Sequence, residues 1–130
     1  MAQLAGYIRL SDPVREHTLA AAHQQAKRAA ARYARLLAAE AGIAARAVHT
    51  AVALLVFRLT EDITGPSATL VAAYTDGGRR LWHLDTDDDW PDESLVTDHL
   101  AAAAEWDDNA FTIVDTDSDG EYLYEHHLND

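Results

Sequence analysis

Two groups of carboxylates, each beside a tryptophan, are the most unusual chemical feature of the sequence. The first group surrounds Trp90 in residues 85–93, and the second surrounds Trp106. Carboxylates attract basic proteins, and tryptophans often anchor protein interfaces. We therefore predict that a basic protein partner contacts Asp85, Asp87, Asp88, Asp89, Trp90, Asp107 and Asp108. The alternative is a solvated acidic loop whose tryptophans pack in the core.

Basic side chains lie on one side of a long alanine-rich segment near the N-terminus. At helical spacing, Arg28, Arg32 and Arg35 share a face with His17. Such a face could contact phosphates, but a net charge of −12 opposes the approach of nucleic acid. We predict no direct nucleic-acid binding. The face is predicted to be solvated, or to meet acids of the same chain or of a second copy in a homodimer.

A run of alternating aspartates resembles the first half of a calcium-binding loop. Asp115, Asp117 and Asp119 precede Gly120 at the required spacing, but His126 stands where the bidentate acid belongs. The flanking residues indicate strands, so the sequence favours a hairpin turn over a calcium site. The seven histidines show no ligand spacing. We therefore predict neither a metal nor a cofactor.

Motifs for covalent catalysis are missing from the sequence. There is no cysteine, no Gly-x-Ser-x-Gly and no phosphate-binding glycine loop. Carboxylates are abundant, but no spacing nominates one of them as a general acid. We therefore predict that the protein is not an enzyme.

Charge and composition set the limits of the fold. Residues 1–60 carry a net charge of +5, whereas residues 61–130 carry −17. Of the 130 residues, 26 are alanine, and 28 are Leu, Ile, Val or Phe, which predicts one domain, 1–130, with a thin core. No apolar run could span a membrane, and the N-terminus lacks a secretory pattern. We therefore expect a cytoplasmic protein without membrane contact.

Two helices are predicted to position these groups. The first covers residues 12–41, with Ser11 or Asp12 as N-cap, Pro13 in the first turn and Gly42 as the stop. Its core-facing stripe is predicted to consist of Leu19, Ala26, Ala30, Tyr33 and Leu37. The second helix covers residues 92–105, after the acidic loop.

Strand signals fill the rest of the chain. A strand over residues 48–60, apolar on both faces, precedes strands over 67–75 and 79–85, and Asp76-Gly77 between the last two indicates a hairpin. Residues 111–115 and 121–127 predict a second hairpin. The predicted class is α+β, with both helices packed on an antiparallel sheet of about five strands in the order α-β-β-β-α-β-β.

The sequence therefore predicts a small acidic interaction protein. Its acidic C-terminal half would bind, and inhibit or mask, a basic protein. One alternative is a self-associating structural protein in which the basic helix meets acidic surface. Another is a small-molecule binder or enzyme with a pocket between helix and sheet.

Overall fold

The structure, a computed structural model, describes Gly6 and residues 8–128. It contains a long N-terminal helix, a second helix and a five-stranded antiparallel sheet, which confirms the predicted α+β class and element order. In chain order the elements are α1 (Asp12–Val48), β1 (Leu54–Asp62), β2 (Gly65–Tyr74), β3 (Arg80–His83), α2 (Glu93–Trp106), β4 (Thr112–Thr116) and β5 (Tyr122–His127).

Helix α1 begins as predicted but continues past Gly42. The N–H of Arg15 donates to the carbonyl oxygen of Ser11 at 2.9 Å, and Pro13 lies in the first turn. The predicted end at residue 41 is wrong because Gly42 permits close packing and does not end the helix. A Cβ at Gly42 would lie 3.0 Å from Cγ of Leu128, so a larger residue would require the Leu128 side chain to shift by a few tenths of an ångström.

The buried side of α1 is not the predicted stripe. Leu19 is 63% exposed and Ala26 is also exposed, whereas Ala30 and Leu37 are half-buried and Tyr33 packs on α2. Alanine lies on every side of the helix, so apolar spacing did not single out one face. The buried residues of α1 are Ala34, Ala38, Ala41, Gly42 and Ala45.

The sheet has the order β3-β2-β1-β5-β4, and every neighbouring pair is antiparallel. Both predicted hairpins are present. The C-terminal strand β5 lies beside β1, with Phe57 opposite Tyr124, so the two hairpins join into one sheet. β1 begins at Leu54, not at residue 48, because α1 extends to Val48.

The core lies between the inner face of the sheet and both helices. Leu55 and Phe57 of β1 are completely buried, and Leu100 of α2 packs in the same cluster. Leu54 and Val56, on the other face of β1, are only half-buried, so the predicted burial on both faces is incomplete. Most residues between β3 and α2 are exposed, although Trp90 is buried.

Candidate acidic binding surface

Trp90 anchors the acidic loop, residues 85–93, in the core. Its side chain is 2% exposed and packs edge-on against Trp82, with 5.4 Å between ring centroids, while the His49 ring lies 5.2 Å away. The predicted contact of Trp90 with a partner is therefore wrong, because the indole is inside the domain. Its Nε1 has no hydrogen-bond acceptor among the described residues.

Hydrogen bonds hold the backbone of the acidic loop in a defined position. Trp82 Nε1–H donates to the carbonyl oxygen of Asp88 at 2.7 Å, and the N–H of His83 donates to Asp87 Oδ2 at 2.8 Å. The N–H of Asp87 donates back to the carbonyl oxygen of His83 at 3.0 Å. Asp87 therefore stabilises the loop through its hydrogen bonds with His83. The other carboxylates of the loop extend from a backbone that these hydrogen bonds hold in place.

The carboxylates of Asp85, Asp88 and Asp89 point away from internal partners. All three residues are exposed, and none of the three carboxylates has a hydrogen bond or ion pair among the residues that the structure describes. Three exposed carboxylates in one short loop, none of them in an ion pair, produce a negative local potential. We call Asp85, Asp88 and Asp89 the acidic surface.

Asp107 and Asp108 lie at the opposite end of α2 from the acidic loop. The helix has 14 residues, which corresponds to a length of about 21 Å. Asp107 is half-buried, and its Oδ1 accepts a hydrogen bond from the N–H of Asn109 at 3.0 Å, whereas Asp108 is exposed. The residues predicted to contact a partner therefore form two separate acidic regions.

The predicted basic face of α1 is exposed as a whole. Arg28, Arg32 and Arg35 are all exposed, and none of them forms an ion pair within the part of the chain that the structure describes. The acids in the described part of the chain therefore do not pair with these arginines. Arg35 also borders the groove described below.

The aspartates of the calcium-like sequence form the β4–β5 turn. Asp117 Oδ1 accepts hydrogen bonds from the N–H groups of Asp119 and Glu121, and its Oδ2 accepts one from Arg58 at 3.0 Å. Asp115 accepts a hydrogen bond from the N–H of Thr116. Within Gly6 and residues 8–128, no group of three or more metal-ligating side chains is placed to hold an ion.

These hydrogen bonds change the ionisation of Asp117. The N–H of Glu121 lowers the pKa of Asp117 most; burial opposes this change, and Arg58 and the N–H of Asp119 lower the pKa further. The Thr64 hydroxyl, followed by the Thr64 N–H, lowers the pKa of Asp62 in the β1–β2 turn. Both carboxylates therefore stabilise turns in their charged form.

A groove lies between α1 and the β4–β5 hairpin; the sequence suggested a pocket between helix and sheet only as an alternative and did not locate it. It has a volume of about 700 Å³, with Ala38, Gly42, Phe111 and Leu128 among the apolar residues that line it. Its polar lining is contributed by Arg35, Arg46, Asp107, Thr112, Glu125, His126 and His127. His126 Nε2 lies 2.9 Å from the carbonyl oxygen of Ala38, across 88 residues of chain. No local motif indicates such a long-range arrangement.

Comparison of the chain with protein-family models, curated proteins and solved structures finds no match. Among the described helices, none combines the length and apolarity needed to cross a membrane.

Proposed function

We propose that this protein is a non-enzymatic interaction protein of the cytoplasm. It binds a basic protein partner through Asp85, Asp88 and Asp89, and it inhibits or masks that partner. Electrostatic attraction brings the two proteins together, and the fixed loop limits the conformational entropy lost on binding.

The observation that carries this proposal is the contrast between a loop backbone held by hydrogen bonds and carboxylates that form no ion pair. The loop is fixed by Trp90 in the core and by the hydrogen bonds of Asp87 and Asp88. Its three exposed carboxylates form no ion pair among the described residues. A loop with only a structural purpose gains nothing from three adjacent exposed charges, which repel one another.

The experiment compares capture of basic proteins by three immobilised forms of the chain. The test variant carries Asp85→Asn, Asp88→Asn and Asp89→Asn. The control variant carries Asp98→Asn, Glu105→Gln and Asp119→Asn, which remove the same charge from exposed positions elsewhere. A protein retained by the wild type and the control, but lost from the test variant, is then purified for titration at low and high salt.

The proposal expects such a partner to be basic and to bind more weakly at high salt. We expect neutralisation of the acidic surface to weaken binding by about tenfold or more, because charge pairs at interfaces contribute measurably to affinity. Equal capture by the test and control variants would refute a specific role for these three aspartates.

A second candidate function is favoured by the groove between helix and sheet. An apolar concavity with a few polar side chains is typical of small-molecule sites. Arg35 supplies an exposed cation at the groove, so we propose an amphipathic carboxylate as the ligand class, which must bind despite Asp107 and Glu125 in the same lining. Decanoate is a suitable probe, and Arg35→Ala should reduce its binding, whereas Arg28→Ala, on the same helix outside the groove, should not. Equal affinities would exclude this site for carboxylates.

A further inference from the structure

A smaller cavity lies between the β1–β2 hairpin and the C-terminal end of α2. It has a volume of about 340 Å³, which is at the lower end of the range for small-molecule sites. It shares only Asp107 and Phe111 with the groove between α1 and the β4–β5 hairpin. We call it the hairpin cavity.

The β1–β2 hairpin contributes one acidic and two apolar residues to the hairpin cavity. Leu59 and Glu61 are two positions apart on β1, so both lie on the same side of the strand. Pro66 of β2 pairs with Glu61 and also lines the cavity. Arg58, the one arginine of β1, lies on the other side of the strand, where it pairs with acids of the β4–β5 turn.

The turn after α2 contributes two more acidic residues. The N–H of Asp107 donates to the carbonyl oxygen of Ala103 at 3.0 Å, and the carbonyl oxygen of Asp107 accepts from the N–H of Ala110 at 3.1 Å. These bonds fix the turn, and both Asp107 and Asp108 line the cavity. The carboxylates therefore come from two separate elements.

Nothing basic balances these acids at the cavity. None of the described lining residues is a lysine, arginine or histidine, and Glu61, Asp107 and Asp108 form no ion pair in the part of the chain that the structure describes. Ala104, in the last turn of α2, also lines the cavity, and that turn contains no basic residue. Since the carbonyl end of a helix carries partial negative charge, the helix adds to the attraction for a cation.

Two aromatic rings complete the lining and are held in place by the core. Phe111 packs edge-on against the buried ring of Phe57, with 4.8 Å between ring centroids, and Tyr124 stacks on Phe57 at 5.9 Å. Aromatic rings attract cations through their π-electrons, and alkyl ammonium groups are the usual partners. The rings therefore favour the same class of ligand as the carboxylates.

We propose that the hairpin cavity binds an aliphatic diamine or polyamine. Amines of this class are cationic near neutral pH. Glu61, Asp107 and Asp108 are not placed to hold one metal ion together, because no group of three or more metal-ligating side chains occurs within Gly6 and residues 8–128. An elongated cation fits instead: its ammonium groups are separated, so they can meet carboxylates of the hairpin and of the turn after α2. The apolar lining accommodates the carbon chain between them.

The diamine site is independent of the acidic surface and of the proposed partner. Asp85, Asp88 and Asp89 precede α2, whereas the hairpin cavity lies at the other end of that helix. The triple Asp→Asn variant should therefore bind the diamine as the wild type does. A loss of binding in that variant would show general attraction by acidic loops and would overturn the assignment to the cavity.

The test is calorimetric titration of the full chain with putrescine at about 50 mM salt, where screening of charges is moderate. The wild type should bind one molecule with saturable heat. We expect n-butylamine, which has the same carbon chain and one charge, to bind about tenfold or more weakly, and butanediol, which has no charge, not to bind. Equal binding of putrescine and n-butylamine would overturn the assignment to a diamine.

Paired variants test the location of the site. Glu61→Gln with Asp108→Asn should raise the dissociation constant about tenfold or more, because both carboxylates line the cavity. The control, Asp98→Asn with Glu105→Gln, removes the same charge from exposed positions of α2 outside the cavity and should leave the constant within about twofold. No saturable heat with the wild type, or equal weakening in both pairs, would overturn the proposal.

Amide chemical shifts of the wild type provide a measurement that needs no variant. Putrescine should shift the N–H signals of Glu61, Ala104 and Asp108 most. Shifts that are largest at Asp85, Asp88 and Asp89 would overturn binding in the cavity. Circular dichroism monitors folding of every variant.

Discussion

The acidic loop and the β4–β5 turn are both rich in aspartate, but their aspartates serve different purposes. In the turn, Asp117 is the anchor: it accepts backbone hydrogen bonds and pairs with Arg58. In the acidic loop, the anchor is the buried ring of Trp90, and most of the carboxylates point outwards. Acidic composition alone therefore does not distinguish a structural carboxylate from one that is available to a partner.

What differs between the two regions is the source of the anchoring free energy. Burial of an indole does not require any of the neighbouring carboxylates, so Asp85, Asp88 and Asp89 are not used to hold the loop. A turn with no apolar anchor must use its polar side chains for backbone hydrogen bonds. Substitutions in the two regions should therefore affect stability through different residue types.

Removal of the aromatic anchor should have the largest effect. Trp90→Ala should lower the free energy of unfolding by about 3–5 kcal/mol, because a large buried ring leaves a cavity. Trp90→Phe should cost less, since it keeps an aromatic ring and removes an indole N–H that has no acceptor among the described residues. Urea denaturation followed by far-ultraviolet circular dichroism measures both. A cost below about 1 kcal/mol for Trp90→Ala would contradict the anchoring role.

Removal of the carboxylate anchor should have the next largest effect. Asp117→Ala deletes the acceptor for the Asp119 and Glu121 N–H groups and leaves Arg58 with Glu121 alone. The midpoint of urea denaturation should fall, but by less than in Trp90→Ala. Asp119→Ala is the matched control, because its side chain is exposed and accepts no hydrogen bond in the described structure. Equal midpoints for the two variants would show that Asp117 does not stabilise the turn more than Asp119 does.

Acid should weaken the turn in a defined pH range. Folding lowers the pKa of Asp117 from an ordinary value near 3.8, so its contribution to stability is complete above that value. The contribution is lost as the pH falls through the lower pKa of the folded state. Asp62 adds to the same loss. Wild-type denaturation midpoints between about pH 5 and 2 should therefore decrease more steeply than those of Asp117→Asn.

Neutralisation of the acidic surface should scarcely change stability. Asp85→Asn, Asp88→Asn and Asp89→Asn should each alter the free energy of unfolding by about 0.5 kcal/mol or less, as is usual at exposed positions. The combined variant should be slightly stabilised at low salt, since repulsion between neighbouring carboxylates is removed. Thermal denaturation at two salt concentrations is sufficient for this comparison. A marked loss of stability would show that these carboxylates support the loop.

Calcium should produce the smallest effect in either region. Asp117 uses its oxygens for the turn, and Asp115 accepts a bond from its neighbour, so the two are not arranged to share an ion. Calorimetric titration with calcium should give no saturable heat, and the thermal midpoint should not change. A stoichiometric heat that is lost in Asp119→Asn would revive the calcium-site alternative.

The local patterns in the sequence predicted the elements well. Ser11 and Pro13 marked the start of α1, and Asp76-Gly77 marked the first hairpin. These signals succeed because cap and turn residues act within a few positions of the chain. The end of α1 predicted from Gly42 was wrong for the opposite reason. The role of Gly42 depends on contact with Leu128, which is 86 residues away in sequence.

The candidate site was only partly predictable. The acidic character of residues 85–93 could be read directly, and the structure places Asp85, Asp88 and Asp89 at the surface. The burial of Trp90 depends on Trp82 and His49, which approach it from other elements. The groove likewise combines α1 with β5, whose adjacency follows from sheet order and not from any local motif.

The positions of the three tryptophans give the protein built-in optical reporters. Trp82 and Trp90 are buried against each other, so their emission should shift to longer wavelength when the core opens. Trp106 is half-exposed at the end of α2, where it packs against Tyr33 of α1. Replacement of Trp106 by phenylalanine would leave emission from the core alone, and the difference from wild type would isolate the signal from the contact between α1 and α2. Opening of the core and changes at this helix contact could thus be followed separately in one sample without an attached dye.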